Sequence, residues 1–160
     1  MGLIIIPMKL KNFTTKAHTF FNLLPIEWQD TIVPHWNDSK ATTQVYVIVE
    51  QKVIVAGGLV FSKCPPDMMY YEKQAKKLFK KEYMYLGFIY VTPSQRGRSL
   101  GSLWLSKIKE LYPKQGLWLA IEDQSLHRFY VKNGFEHIDT IVTPDQQQEL
   151  VYAYKPKPKV

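Results

Sequence analysis

Residues 91–102 read Val91-Thr-Pro-Ser-Gln-Arg96-Gly97-Arg98-Ser99-Leu100-Gly101-Ser102. An apolar run, Tyr83 to Val91, leads directly into this Arg/Gly-rich turn, and its near-continuous hydrophobicity predicts a central strand buried on both faces. Beyond the turn Leu100, Trp104, Ile108 and Leu111 recur at helical spacing, with Ser102, Ser106, Lys109 and Glu110 mostly on the other side. A strand, a tight glycine turn and a helix start bring several unpaired backbone N–H groups and a positive dipole end into one small volume. That arrangement suits a pyrophosphate.

The segment Arg96-Gly97-Arg98-Ser99-Leu100-Gly101 resembles the acyl-CoA-binding motif of the GNAT superfamily of acetyltransferases, Gln/Arg-x-x-Gly-x-Gly/Ala. A short glycine motif is weak evidence alone, but a second match follows in the right order. After a short apolar run, Leu117 to Glu122, the residues from Asp123 through Phe129-Tyr130 to Gly134-Phe135 are similar to the later helix of that superfamily, which ends Phe-Tyr-x-x-x-Gly-Phe. The resemblance covers Tyr83 to about Ile138, roughly a third of the chain. It implies the N-acyltransferase fold, an α/β (α+β) architecture with a mixed, mostly antiparallel central sheet flanked by helices.

It also implies acetyl-CoA as co-substrate and direct transfer of the acetyl group to a primary amine. Arg96, Gly97, Arg98, Ser99, Leu100, Gly101 and Ser102 would hold the pyrophosphate, and the backbone near Tyr90 and Val91 the pantetheine and acetyl oxygen. Tyr130 matches the tyrosine that protonates the departing thiolate, a role open to a phenol that stays protonated at neutral pH. Two positions depart from the pattern. Ser99 stands where glycine is usual, so its side chain must fit beside the pyrophosphate or donate to it. Asp123 replaces an asparagine that contacts the cofactor in many relatives, and either meets phosphate with a carboxylate or caps the helix.

No general base is assigned. Relatives that use a glutamate on the strand before the turn have it near Tyr85, and this strand has only Glu82, at its start. Glu122 is a weak candidate, against a surface carboxylate flanking a helix, and a water chain ending at backbone carbonyls would serve equally well. Phe129 reads as core. His18, His35, His127 and His137 read as ordinary surface or core histidines, and no His/Cys/Asp/Glu spacing suggests a metal. Trp28 and Trp36 read as anchors of helices to the sheet, with stacking on substrate as the second reading.

At 160 residues, 46% of them hydrophobic and 14% aromatic, the chain can bury a substantial core, and we expect one domain over 1–154 with a basic, disordered tail over 155–160. The net charge of +7 favours anionic partners, and coenzyme A accounts for part of it. Cys64 is the lone cysteine, so no internal disulfide forms. No apolar run is long enough to span a membrane and Gly2 to Pro7 is too short for a signal peptide, which predicts a cytoplasmic protein.

Outward from the motif, Gly2 to Pro7 reads as the first strand, Phe13 to Leu24 as a helix stopped by Pro25, and Ile26 to Val33 as a second helix ending before Pro34. Val45 to Val49 and Val53 to Phe61 predict a hairpin, with Gly57-Gly58 marking a bulge or a close approach. The segment 62–81 is the least predictable, with Asp67 to Lys80 read as helical, and as an insertion it would shape the substrate pocket. Phe135 to Ile141 and Glu149 to Tyr154 close the sheet.

The acceptor stays open among a small metabolite, an antibiotic, a peptide N-terminus, a lysine and an aminoacyl-tRNA. Only Glu27, Asp30 and Asp38 could recognise a polyamine or aminoglycoside, and a tRNA acceptor would require the Lys73 to Lys81 cluster exposed along one face. A catalytically silent acyl-CoA-binding module of the same fold is the alternative, and homodimerisation is compatible with either. A nucleic-acid-binding domain without cofactor would rest on charge alone.

Overall fold

The computed structural model describes residues 7–64 and 72–157. Its strands form a seven-stranded mixed sheet flanked by helices, in the order β1-β2-β3-β4-β5-β7-β6. These strands are β1 (Met8–Asn12), β2 (Thr43–Glu50), β3 (Val53–Phe61), β4 (Met84–Val91), β5 (Leu117–Ile121), β6 (Glu136–Val142) and β7 (Gln148–Tyr154). The described helices are α1 (Ala17–Phe21), α2 (Ile26–Ile32), α3 (Trp36–Ser39), α4 (Glu72–Lys80), α5 (Leu100–Leu111) and α6 (His127–Lys132). The chain divides into two compact units, Met1–Leu59 with Phe88–Lys107, and Val60–Gly87 with Ile108–Val160.

In the first unit β1 pairs antiparallel with β2, with Leu10 opposite Ile48. The strand expected over Gly2 to Pro7 falls largely outside the described residues, and the observed strand begins at Met8. The helix expected over Phe13 to Leu24 is shorter. Phe13 N–H donates to Val45 C=O at 2.7 Å, so the backbone is still tied to the sheet there, and the α-helix starts at Ala17. α2 ends at Ile32, ahead of Pro34 as expected, although Pro34 does not stop the helical path altogether. This proline sits at the start of a 3₁₀ turn, Val33–His35, where a missing N–H costs little, and α3 follows.

The hairpin turns through two residues, Gln51 (φ 50°) and Lys52 (φ 64°), both left-handed as a tight hairpin with matched twist requires. Gly57 and Gly58 serve close approach. A Cβ on Gly57 would lie 2.5 Å from the Phe20 ring, and one on Gly58 would lie 2.6 Å from the Trp104 ring. Adjacent strand residues point to opposite faces, so α1 and α5 press an aromatic ring onto each side of β3. Phe20 and Trp104 are both buried, and the Trp104 indole N–H donates to Tyr46 C=O at 3.0 Å.

In the second unit β4 and β5 run parallel, paired at Met84↔Leu117 and Tyr85↔Trp118. β7 lies antiparallel to β5 on one side and to β6 on the other. Helix α4 sets Ala75 and Leu78 into a cluster with Trp118, Ile141 and Val151. The helical expectation over Asp67 to Lys80 is met from Glu72, and residues 65–71 lie outside the described ones. Tyr130, Phe135 and Tyr152 form a second buried group, with ring centroids 5.8 and 6.0 Å from that of Tyr130. Of the tail, Lys155 to Lys157 follow β7 without regular structure and 158–160 lie outside the described residues.

Candidate active site

The turn predicted from Arg96 to Gly101 is built as a bridge between β4 and α5. Thr92 anchors its start, since both its N–H and its hydroxyl donate to Val55 C=O, at 3.1 and 3.3 Å. A 3₁₀ turn, Pro93–Gln95, then redirects the chain. Gly97 (φ 85°) and Ser99 (φ 58°) are left-handed, a conformation that crowds Cβ against the following carbonyl in any residue but glycine. The glycine preference at position 99 of the motif therefore has a backbone cause, and Ser99 fills the position at a conformational cost. A Cβ on Gly97 would meet nothing within 4 Å.

Ser99 C=O accepts the first intrahelical bond of α5, from Leu103 N–H at 3.0 Å. By helix geometry the first backbone N–H groups of α5 point back along its axis, at the positive end of a three-turn helix. An exposed turn with left-handed residues, open space beside Gly97 and a helix N-terminus fits a diphosphate. By this local test the residues present suit coenzyme A.

The two motif arginines do different work. Arg98 is bidentate to Glu50, Nη1 to Oε1 at 3.0 Å and Nη2 to Oε2 at 2.8 Å, and also bonds Gln95 Oε1. The guanidinium beside it holds the Glu50 carboxyl below its usual range, and the carboxylate in turn raises Arg98. The Arg98 side chain thus fixes the turn to the end of β2. Arg96 donates from Nε to Val91 C=O at 3.2 Å and lies 5.4 Å from the Tyr90 ring centre. Both arginines are exposed.

Beside the turn, Phe88 interrupts β4 with φ 55°, a left-handed aromatic in a strand. Phe88 and Tyr90 both meet Trp28 edge to face, at 6.0 and 5.9 Å. Trp28 anchors α2 to β4, as expected, and keeps about a third of its surface exposed. Glu50 and Phe88 were not foreseen. Glu50 lies 48 positions from its partner, and nothing in an apolar run announces a left-handed phenylalanine.

The remaining sequence candidates lie in the second unit. Tyr130, on α6, is 7% exposed, and burial pushes its phenol up to about 12. It therefore stays protonated throughout the neutral range. α6 ends at a left-handed Gly134 (φ 87°), with Phe135 N–H donating back to Tyr130 C=O at 3.0 Å, so the Gly-Phe exit is a helix stop that fixes the aromatic pair. Phe129 packs on Tyr130 at 5.0 Å.

Asp123 caps the 3₁₀ turn Gln124–Leu126. Its carboxylate accepts from Ser125 N–H at 2.9 Å, and hydrogen bonding by Ser125, its side chain first and then its backbone, holds it below the usual carboxylate range. Glu122 is exposed just beyond β5. His127 shares a 2.6 Å hydrogen bond with the Tyr152 hydroxyl, and His137 Nε2 lies 2.8 Å from Asp139 C=O. No group of three or more His, Cys, Asp or Glu side chains that could hold a metal is present among the described residues.

Comparison with known proteins agrees with this geometry. Residues 11–135 match the model of the Acetyltransferase (GNAT) family. None of the curated proteins matches by sequence. Among solved structures the chain is similar to the aminoglycoside 6′-N-acetyltransferase from Enterococcus faecium, with a TM-score of 0.68 at 12% identity, over 96% of this chain and 99% of that one. It is also similar to an acyl-CoA N-acyltransferase from Pseudomonas aeruginosa, with a TM-score of 0.61 at 11% identity, over 94% and 99% of the two chains. A third likeness is to a ribosomal L7/L12 alpha-N-protein acetyltransferase in complex with coenzyme A, with a TM-score of 0.59 at 12% identity, over 97% and 98%. At such identities the likeness establishes the fold, while the family match spans more than half of the residues. The chain belongs to the acetyltransferase (GNAT) family.

Proposed function

We propose that this chain is an acetyl-CoA-dependent N-acetyltransferase that passes the acetyl group directly to a primary amine. The observation that carries the reading is the turn from Arg96 to Gly101, whose left-handed Gly97 and Ser99 lead into the N-terminus of α5. The first backbone N–H groups of that helix and the Arg96 guanidinium would hold the diphosphate, with Arg98 keeping the turn in place through Glu50. Bound there, acetyl-CoA would supply an acetyl thioester to the attacking amine and a thiolate as leaving group. Leu100, Gly101 and Ser102 belong to the same helix start. The backbone of Tyr90 and Val91 is proposed to receive the pantetheine arm.

Tyr130 is the proposed general acid. A phenol raised to about 12 keeps its proton at neutral pH, and a thiolate with an ordinary thiol pKa near 8.5 is a weaker base than the tyrosinate left behind. Transfer from Tyr130 then acts by stabilising the thiolate through a strong hydrogen bond as much as by complete protonation.

The absence of a carboxylate or histidine from β4, Met84 to Val91, bears on the acceptor. An α-amino group, with a pKa of about 7.7–8.0, is substantially neutral at physiological pH, whereas a lysine amine near 10.4 is not. An α-amino acceptor asks least of an enzyme without a strong base, and Glu122 remains the nearest sequence candidate to assist it. The test is thiol release from acetyl-CoA across a panel of an α-amino peptide, an aminoacyl ester, a lysine side-chain analogue, a polyamine and an aminoglycoside. Turnover with the α-amino compounds supports the reading. Binding without turnover on any amine would favour the silent module, and release only with polyamine or aminoglycoside would overturn the acceptor class.

A further inference from the structure

Helix α4 carries lysines at 73, 76, 77 and 80, with Lys81 immediately after it. Residues on a helix advance by about 100° each, so these four helical lysines share one stripe while Ala75, Leu78 and Phe79 lie opposite. The fold uses the opposite face. Ala75 and Leu78 are buried against Trp118, Ile141 and Val151, and Phe79 meets the Trp118 ring edge to face at 5.6 Å. Docking by that face turns the lysines outward, and Lys73, Lys77, Lys80 and Lys81 are all exposed.

Helix stability accounts for only part of the stripe. Lys77 and Lys80 sit in the last turn, where the helix dipole favours cations, but Lys73 is near the N-terminal end, where it does not. Like charges four apart, as at 73 and 77, also repel. The row costs the helix something and offers an external anion a ladder of charges.

We propose that α4 docks the chain onto the phosphate backbone of an RNA. Lysine ammoniums act as point charges, which suits a regular row of singly charged phosphates held by charge and not by fork geometry. A lipid surface would need an apolar face to insert, and that of α4 is spent on Trp118. The stripe holds no aromatic side chain for stacking on bases, so the contact reads backbone and not sequence. The choice of RNA over DNA rests on the acetyl-transfer reading: RNA can carry an aliphatic primary amine as an aminoacyl ester, whereas the amines of DNA bases are conjugated to their rings and poorly nucleophilic.

The test is fluorescence anisotropy of a labelled 24-nucleotide RNA hairpin with the full chain between 50 and 200 mM KCl, without acetyl-CoA. The parent is expected to bind with an affinity that falls linearly in log–log form with salt. The triple variant K73Q/K77Q/K80Q should bind at least about tenfold more weakly at 50 mM KCl, and its salt slope should be shallower by about 2–3, near 0.7–0.9 for each lost contact. A matched triple variant at the exposed Lys9, Lys11 and Lys40, K9Q/K11Q/K40Q, should retain the parent slope. Retained acetyl-CoA binding in both variants checks the fold. No binding of RNA by the parent, or equal losses in the two variants, overturns the proposal. So does tighter binding to polyglutamate, to vesicles with 30% anionic lipid, or to a DNA hairpin of the same sequence. Because the assay contains neither acetyl-CoA nor amine, its failure is separate from failure of the enzymatic reading.

Discussion

Arg98 and Glu50 meet in a bidentate pair, at 3.0 and 2.8 Å, that fastens the turn before α5 to the last residue of β2. One arginine of the turn is therefore a strut, and the other, Arg96, is the cation proposed to meet the ligand. The pair is exposed, so its contribution to global stability is small. Glu50→Gln should leave the thermal midpoint nearly unchanged and raise the KM for acetyl-CoA by up to about fivefold, the effect of a loosened turn. Unchanged KM would show that the turn holds its shape without the strut. Since the pair holds the Glu50 carboxyl below its ordinary value, this contact persists above that value and is lost as pH falls through the lowered one. Acetyl-CoA affinity titrated from pH 8 down to 5 should show no step from this group.

Ser99 occupies a left-handed position that glycine would fill freely. Ser99→Gly should unfold no earlier than the parent in thermal or urea melts, because relief of strain offsets the added freedom of the unfolded chain. Ser99→Val should lose about 1–2 kcal/mol, since a β-branched residue tolerates φ near 60° poorly. Equal stability of the glycine and valine variants would contradict the assigned backbone conformation.

Tyr130→Phe removes one hydroxyl from a buried cluster with the rings left in place. Acetyl-CoA binding should be nearly intact, and turnover should fall by roughly 100-fold or more. The same phenol gives a stability signature. Its folded pKa, raised to about 12, exceeds the unfolded value of 10, so its contribution is fully present below pH 10 and is lost as pH rises through 12, by roughly 2–3 kcal/mol. Urea melts at pH 9 and pH 11.5 should show that loss in the parent and its absence in the variant. Turnover equal in parent and variant would return Tyr130 to a packing role.

Gly58→Ala would push a methyl group to 2.6 Å from the Trp104 ring, which is buried and tied to Tyr46 C=O. The expected loss is about 1–3 kcal/mol. Pairing it with Trp104→Phe, which vacates part of that space, should recover some of the loss in a double-mutant cycle, and strict additivity would show that ring and glycine do not meet.

Local chemistry determined what could be read from the chain. The run into Arg96, the helix from Leu100 and the Gly134-Phe135 exit each depend on residues within a few positions, and all three are where their patterns put them. The glycine pair at 57 and 58 announced close approach, though not that Phe20 and Trp104 are the neighbours. Partnerships across sequence left no trace, Arg98 with Glu50 above all. Conformations that run against residue type were also silent, as at Phe88 and Gln51. The helix boundary that differs lies at Phe13, where a hydrogen bond to the sheet overrides the local helical tendency, while α2 stops ahead of Pro34 as its sequence implies.

The turn at residues 96–101 is the proposed seat of coenzyme A. Its most direct test is calorimetric titration of the parent and Gly101→Val with acetyl-CoA, alongside S-acetylpantetheine, which lacks the diphosphate. Micromolar binding of acetyl-CoA to the parent, at least about 100-fold weaker binding of the truncated thioester, and loss of acetyl-CoA binding in a folded Gly101→Val protein are the predicted results. Equal affinity for the two thioesters, or an unaltered titration in the valine variant, would contradict it.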